Sequence, residues 1–142
     1  MGFRIRPLAL GLVWRGDALL VFEGRDDVKG ETYCRPLGGG IEFGESGKDA
    51  LRREFVEELG AELLVGKRVG VLENIFTWQG RPGHEIAFLY AAEFTDPAFY
   101  EREEMKILDD PATARWVDLA DFRDGRKILY PMGLLELLSA DQ

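Results

Sequence analysis

Gly39-Gly40-Ile41-Glu42-Phe43-Gly44-Glu45-Ser46-Gly47-Lys48-Asp49-Ala50-Leu51-Arg52-Arg53-Glu54-Phe55-Val56-Glu57-Glu58-Leu59-Gly60-Ala61 is the stretch on which the reading of this chain turns. Ser46 is a residue type that caps helix N-termini, and Asp49 stands three positions later, as in a capping box. Leu51, Phe55 and Leu59 then recur at every fourth position and so share one helical face. Gly60 occupies the C′ place, where a left-handed residue stops a helix. The spacing predicts a helix that begins at Ser46 and ends at Gly60.

On that helix Glu54, Glu57 and Glu58 lie three and four residues apart, so their carboxylates crowd one side. At 100° per residue this acidic sector adjoins the Leu51, Phe55, Leu59 stripe, which puts the charges at the rim of the core. Repulsion there exceeds the roughly 0.2–0.5 kcal/mol per pair that like charges cost on a solvated helix. A divalent cation compensates economically. Carboxylates without His or Cys partners suit Mg²⁺ or Mn²⁺, not zinc, and phosphate oxygens can complete the coordination. From the helix alone, a solvated acidic face with Arg52 and Arg53 as counter-ions accounts for the same residues.

N-terminal to this stretch, Arg35-Pro36-Leu37-Gly38-Gly39-Gly40 reads as a shaped loop, because Pro blocks a helix and the glycines let the backbone bend or approach a ligand. Leu8 to Trp14 and Ala18 to Glu23 read as two strands of a hairpin turned by Arg15-Gly16-Asp17, with a polar stretch from Gly24 to Tyr33 behind them. C-terminal to it, Val69 to Trp78 and His84 to Phe94 read as a second hairpin around a loop from Gln79 to Gly83. Ala114 to Val117 is a further strand, and Met132 to Ala140 a closing amphipathic helix. Strands apolar on both faces and helices with one apolar stripe fit an α/β or α+β arrangement with helices on both sides of a sheet. Irregular alternation disfavours a doubly wound parallel sheet. Neither a G-x-G-x-x-G nor a P-loop motif follows a strand.

At 142 residues the chain has the length of one domain, residues 1–142. Hydrophobic residues at 46% exclude disorder as the main state. A formal net charge of −8 argues against a general grip on a nucleic-acid backbone, so no stable nucleic-acid complex is expected. Cys34 is the sole cysteine, which excludes an internal disulfide and suits a reducing, cytoplasmic setting. The apolar run after the first residues ends at Arg15-Gly16-Asp17 without a small-residue cleavage pattern, and no stretch is long enough to cross a bilayer.

With Gly39, Glu45, Arg53, Glu54, Phe55, Glu57, Glu58 and Gly60 in register, the quoted stretch resembles the box of the Nudix hydrolase family, G-x5-E-x7-R-E-U-x-E-E-x-G-U, with U apolar. Ala61 stands where the family prefers a larger apolar residue, and Leu37 departs from the tighter Pro-Gly-Gly turn common before the box. The resemblance implies an α/β/α sandwich with a mixed sheet between helices. It also implies metal-dependent hydrolysis of a nucleoside diphosphate linked to another moiety, with Mg²⁺ or Mn²⁺ as cofactor. By the same resemblance Glu57 and Glu58 are the principal metal ligands, and Glu54 is a third ligand or positions water. The Gly38 or Gly39 carbonyl is an extra ligand, while Arg53 and Glu45 hold helix and loop in one geometry.

A general base in this family often comes from a loop outside the box, and Glu101, Glu103, Glu104, Asp109 and Asp110 share a suitable acidic loop. Phe76, Trp78 and Tyr90 are candidates to stack on a base, and Arg25 or Arg35 to hold a phosphate or sugar. His84 can titrate or touch a phosphate, or merely hydrogen-bond nearby backbone. The partner expected is a small nucleotide, of which nucleoside triphosphates, nucleotide sugars, dinucleoside polyphosphates, ADP-ribose and capped RNA ends all serve relatives. A nucleotide sensor that keeps the box without turnover is the competing function, and a homodimer with a merely superficial acidic helix is a third.

Overall fold

The computed structural model describes residues 3–108 and 110–140. Among the described residues nine strands and three α-helices follow one another as β1 Ile5–Leu12, β2 Trp14–Arg15, β3 Ala18–Asp26, β4 Glu31–Pro36, β5 Gly38–Gly40, α1 Gly47–Leu59, β6 Leu63–Trp78, β7 Arg81–Phe94, β8 Glu104–Lys106, β9 Thr113–Asp118, α2 Leu119–Arg123 and α3 Leu134–Ala140. A 3₁₀ turn, Pro97–Glu101, precedes β8. One sheet has the order β5-β1-β7-β6; the other has β2-β3-β9-β8, with β4 alongside β3. The β1–β7 pair is parallel, so the first sheet is mixed.

Successive side chains on a strand point to opposite faces, and here both faces are filled. Ala9 and Leu20 join Leu51, Phe55 and Leu59 of α1 in one apolar cluster. Leu10, Leu12, Leu19 and Val21 join Phe122 of α2 and Leu134 and Leu138 of α3 in another. Strands thus lie between α1 on one side and α2 with α3 on the other, as the apolar patterns imply, in the mixed α+β sandwich that the resemblance implies. Among the described residues no helix is long and apolar enough to cross a membrane.

α1 forms where its local signals place it. The Ser46 Oγ accepts from the Asp49 N–H at 3.1 Å, and Gly60 closes the helix at φ 64° with its N–H on the Val56 carbonyl at 2.9 Å. The Asp49 carboxylate accepts from Arg52 at 2.8 Å. Ala61, the small residue after the helix, is fully buried in the α1 cluster.

Several pairings differ from the sequence expectations. The first hairpin joins only Trp14–Arg15 to Ala18 and Leu19 across Gly16-Asp17. Leu8 to Leu12 instead leave for the other sheet, between β5 and β7. A run apolar on both faces can pair with any strand, and the turn dictates the partner only of the residues beside it. The stretch Gly24 to Tyr33 is largely strand, with Gly24 opposite Tyr33 and Asp26 opposite Glu31. The expected loop from Arg35 to Gly40 is likewise mostly paired, Gly38 to Gly40 running antiparallel to Leu10 to Leu8. Gly38, at φ 148°, is glycine because a Cβ would fall on the Ala9 carbonyl. The second hairpin turns in two residues, Gln79 at φ 54° and Gly80 at φ 75°, so Arg81 to Gly83 belong to β7. β8 and α2 are too short for a periodic signal, and the last helix starts at Leu134 instead of Met132.

Candidate active site

α1 carries Glu54, Glu57 and Glu58 along one edge, and Arg53 ties that edge to the preceding loop. Its guanidinium grips Glu45 through two bonds, Nε to Oε2 at 2.8 Å and Nη2 to Oε1 at 2.9 Å, and donates from Nη2 to the Gly40 carbonyl at 2.9 Å. Nη1 reaches Glu54 and Glu57, each at 3.3 Å. Bonding to Arg53 holds the Glu45 carboxyl below its usual range, and the Glu42 N–H adds to this at 3.1 Å. Gly39 presses directly on Glu54, since a Cβ there would overlap that carboxylate.

Glu58 is the outlier. Its Oε1 is buried without a hydrogen-bond partner. Burial, and then the charge of Glu54, push its pKa up to about 8; Asp110 and Glu57 push the same way, while the Gly38 backbone opposes them. Glu54 is raised too, first by burial. An orphaned carboxylate oxygen, two further carboxylates and a glycine strand form a set of hard oxygen donors that fits Mg²⁺ or Mn²⁺. These donors adjoin without converging: among the described residues no three His, Cys, Asp or Glu side chains are drawn into one ligating group, and Arg53 holds two of the three α1 glutamates on one nitrogen.

Partners sort the acidic loop. Arg15 takes Glu103 at 3.3 Å and Arg115 takes Glu104 at 3.2 Å, so both carboxylates are engaged. Glu101 ends the 3₁₀ turn on the surface. Asp109 lies outside the described residues. Asp110 accepts from the Ala112 N–H at 2.8 Å and is the loop carboxylate whose charge reaches Glu58. The loop is strapped to the helix by Leu108, whose N–H donates to the Glu58 carbonyl at 2.8 Å.

A cleft of about 820 Å³ opens between β4 and the β6–β7 hairpin and contains Arg35, Phe76, Trp78 and His84. Arg25 stands apart from it, bonded to Asp27 and Thr32. Tyr90 is buried in the α1 cluster against Gly47, so its ring is packed into the protein and not offered to a ligand. His84 bonds Glu73 at 2.9 Å. The cleft also holds residues that sequence reasoning passed over: Arg6, Asp26, Tyr33, Glu85 and Tyr130. Glu85 is 8% exposed and lies between Arg35 at 3.1 Å and Arg6 at 3.6 Å. An acid at the head of the apolar run Ile86-Ala87-Phe88-Leu89 was the available signal for it.

A family model described as NUDIX domain matches residues 5–133. Among solved structures the chain is similar to the MutT protein from Methanosarcina mazei Go1, with 16% identity, 99% of this chain and 94% of that one covered, and a TM-score of 0.68. It is also similar to the E. coli ORF135 protein (22% identity, 97% and 91% covered, TM-score 0.64). A third is an ADP-ribose pyrophosphatase from Streptococcus suis 89-1591 (16% identity, 96% and 92% covered, TM-score 0.59). At these identities the likeness establishes the shared fold.

Proposed function

The chain belongs to the NUDIX domain family, and from that premise we propose that it is a metal-dependent pyrophosphohydrolase acting on a small nucleotide derivative, a nucleoside diphosphate linked to another moiety. The observation that carries this reading is the buried, unpartnered Oε1 of Glu58 beside Glu54. A carboxylate desolvated among like charges is costly unless something positive meets it.

In this reading Glu57 and Glu58 hold Mg²⁺ or Mn²⁺, Glu54 is a third ligand or orients water, and the Gly38 or Gly39 carbonyl can join them. The cation, when bound, neutralises pyrophosphate oxygens and lowers the pKa of water. Arg53 positions the acidic edge: its two bonds to Glu45 and one to Gly40 lock helix and loop together, and planar two-point bonding resists rotation. Asp110 is the loop carboxylate best placed to accept a proton, because Glu103 and Glu104 are engaged by arginines. Arg6 and Arg35 outnumber Glu85 and leave positive charge for a phosphate next to the box. Residues 1–142 act as one domain, and the buried free thiol of Cys34 suits a reducing cytoplasm.

The decisive experiment incubates the full chain with nucleoside triphosphates, nucleotide sugars, dinucleoside polyphosphates and ADP-ribose, with Mg²⁺ or Mn²⁺, and scores which bond is cut. Cleavage at a pyrophosphate that disappears in Glu58→Gln is expected. Inactivity across the panel with retained nucleotide binding overturns the hydrolase reading in favour of a sensor.

A further inference from the structure

The cleft beside the box has an ordered chemistry. Along β4 the side chains of Glu31, Tyr33 and Arg35 alternate onto one face and all line it. An acid, an aromatic ring and a cation therefore succeed one another toward the glycines, on the order of 13 Å from first to last at strand rise. The Tyr33 ring crosses Gly24, where a Cβ would strike it. Trp78 and Phe76 come from β6 on the other wall, and Tyr130 sits 5.2 Å from Tyr33 between ring centroids. The cationic end, Arg35 with Arg6, lies toward Gly40, which Arg6 approaches.

At the opposite end Asp26 pairs in register with Glu31. Asp26 is 2% exposed. Its Oδ1 accepts from the Val28 and Lys29 N–H groups, each at 3.0 Å, whereas Oδ2 has no hydrogen-bond partner. The Lys29 ammonium stands 3.9 Å from Oδ2, beyond bonding distance, on a half-exposed side chain in the β3–β4 turn, and Arg81 lines the same end. Burial raises the Asp26 pKa, but the backbone N–H groups of Lys29, Gln79 and Val28 and the Lys29 charge outweigh it, so the pKa lies below its ordinary value. Glu31 accepts from the Tyr130 hydroxyl at 2.7 Å.

We propose that this cleft takes the nucleoside end of the substrate and selects a guanine-type base, with Asp26 Oδ2 and Glu31 accepting from adjoining N–H donors on its edge. Tyr33 and Trp78 flank the ring, and Arg35 with Arg6 hold the phosphate that leads to the box. The assignment rests on the hydrolase reading only for what lies beyond that phosphate. Guanine offers imino and amino donors side by side; adenine and cytosine place a ring acceptor beside their amino group, and uracil flanks its one N–H with carbonyls. An anionic oxygen repels those acceptors. A donor edge entering the cleft displaces the half-exposed Lys29 ammonium and gives the buried oxygen the hydrogen bond it lacks.

Calorimetric titration of the full chain with GMP, IMP, AMP, CMP and UMP, with Mg²⁺ present, tests this apart from turnover, because monophosphates contain no anhydride. GMP should bind about tenfold tighter than AMP, with IMP between them. Asp26→Asn, which keeps the acceptor for the turn N–H groups, should reduce that preference to about twofold or less, and Glu31→Gln should narrow it less. Equal affinity for all bases in the parent, no binding of any, or a ranking unchanged in both variants overturns the inference. Base preference without hydrolysis defeats the hydrolase reading alone; hydrolysis without base preference defeats this inference alone.

Discussion

Two glutamates are sunk into this protein and are treated in opposite ways. Glu85, on the cleft wall, is bracketed by Arg35 and Arg6. Glu58, on the helix edge, has acids for neighbours and a carboxylate oxygen that bonds nothing. A buried charge supplied with partners is part of the scaffold, whereas one left without them marks where a ligand of opposite sign belongs. The same chemical change at the two positions should accordingly have different results.

The largest effect is expected on turnover. Glu57→Gln or Glu58→Gln should lower kcat by on the order of 100-fold or more, beyond what loss of a supporting residue does, while Glu101→Gln stays near the parent. Steady-state assays on the substrate found in the panel decide this, and equal rates in parent and box variants would break the contrast. Arg53→Lys comes next: it keeps the charge but cannot span both Glu45 oxygens, so Mg²⁺ affinity should fall roughly 10- to 100-fold in a metal titration, with little change in secondary structure.

Stability without metal sharpens the contrast by sign. Glu85→Gln weakens bonds to two arginines and should destabilise by about 1–2 kcal/mol in urea melts at pH 7. Glu58→Gln should stabilise at high pH. Below about 4.5 the Glu58 carboxyl is protonated in folded and unfolded chains alike; from 4.5 to about 8 only the unfolded chain ionises, so folding weakens as pH rises, and the loss is complete above 8. The metal-free parent should thus lose Tm between pH 5 and 8 more steeply than Glu58→Gln does, and Mg²⁺ should recover it. Parallel profiles would refute the assignment. The smallest effect concerns Cys34, whose buried thiol is pushed up to about 11. Native protein at pH 8 should resist alkylation that proceeds readily in denaturant, as a mass shift would report.

α1 was legible because everything that makes it is local: the Ser46 cap, the Leu51, Phe55, Leu59 stripe and the Gly60 stop lie within one segment. The resemblance to the family box, not spacing, implied that Glu45 and Arg53 hold helix and loop together, and their side chains do meet. Of the cleft, Arg35, Phe76, Trp78 and His84 were legible one by one, but not that they meet Arg6, Asp26 and Glu85, since these come from strands whose adjacency no short window records. Gly16-Asp17 announced a turn but could not say that Leu8 to Leu12 would leave the hairpin. Among the loop acids only partners decide: Arg15, far away in sequence, takes Glu103, and Arg115, on the adjoining strand, takes Glu104.

The parallel alignment of Ile5 to Leu12 with His84 to Ala91 has a consequence for how the protein comes into being. During synthesis the first strand must wait, unpaired on one edge, until the ribosome has delivered the seventh. Closing so long a loop is entropically slow, whereas the helix can form as soon as it emerges. The residues of the acidic edge are therefore all present on the nascent chain well before there is any groove for a nucleotide to enter.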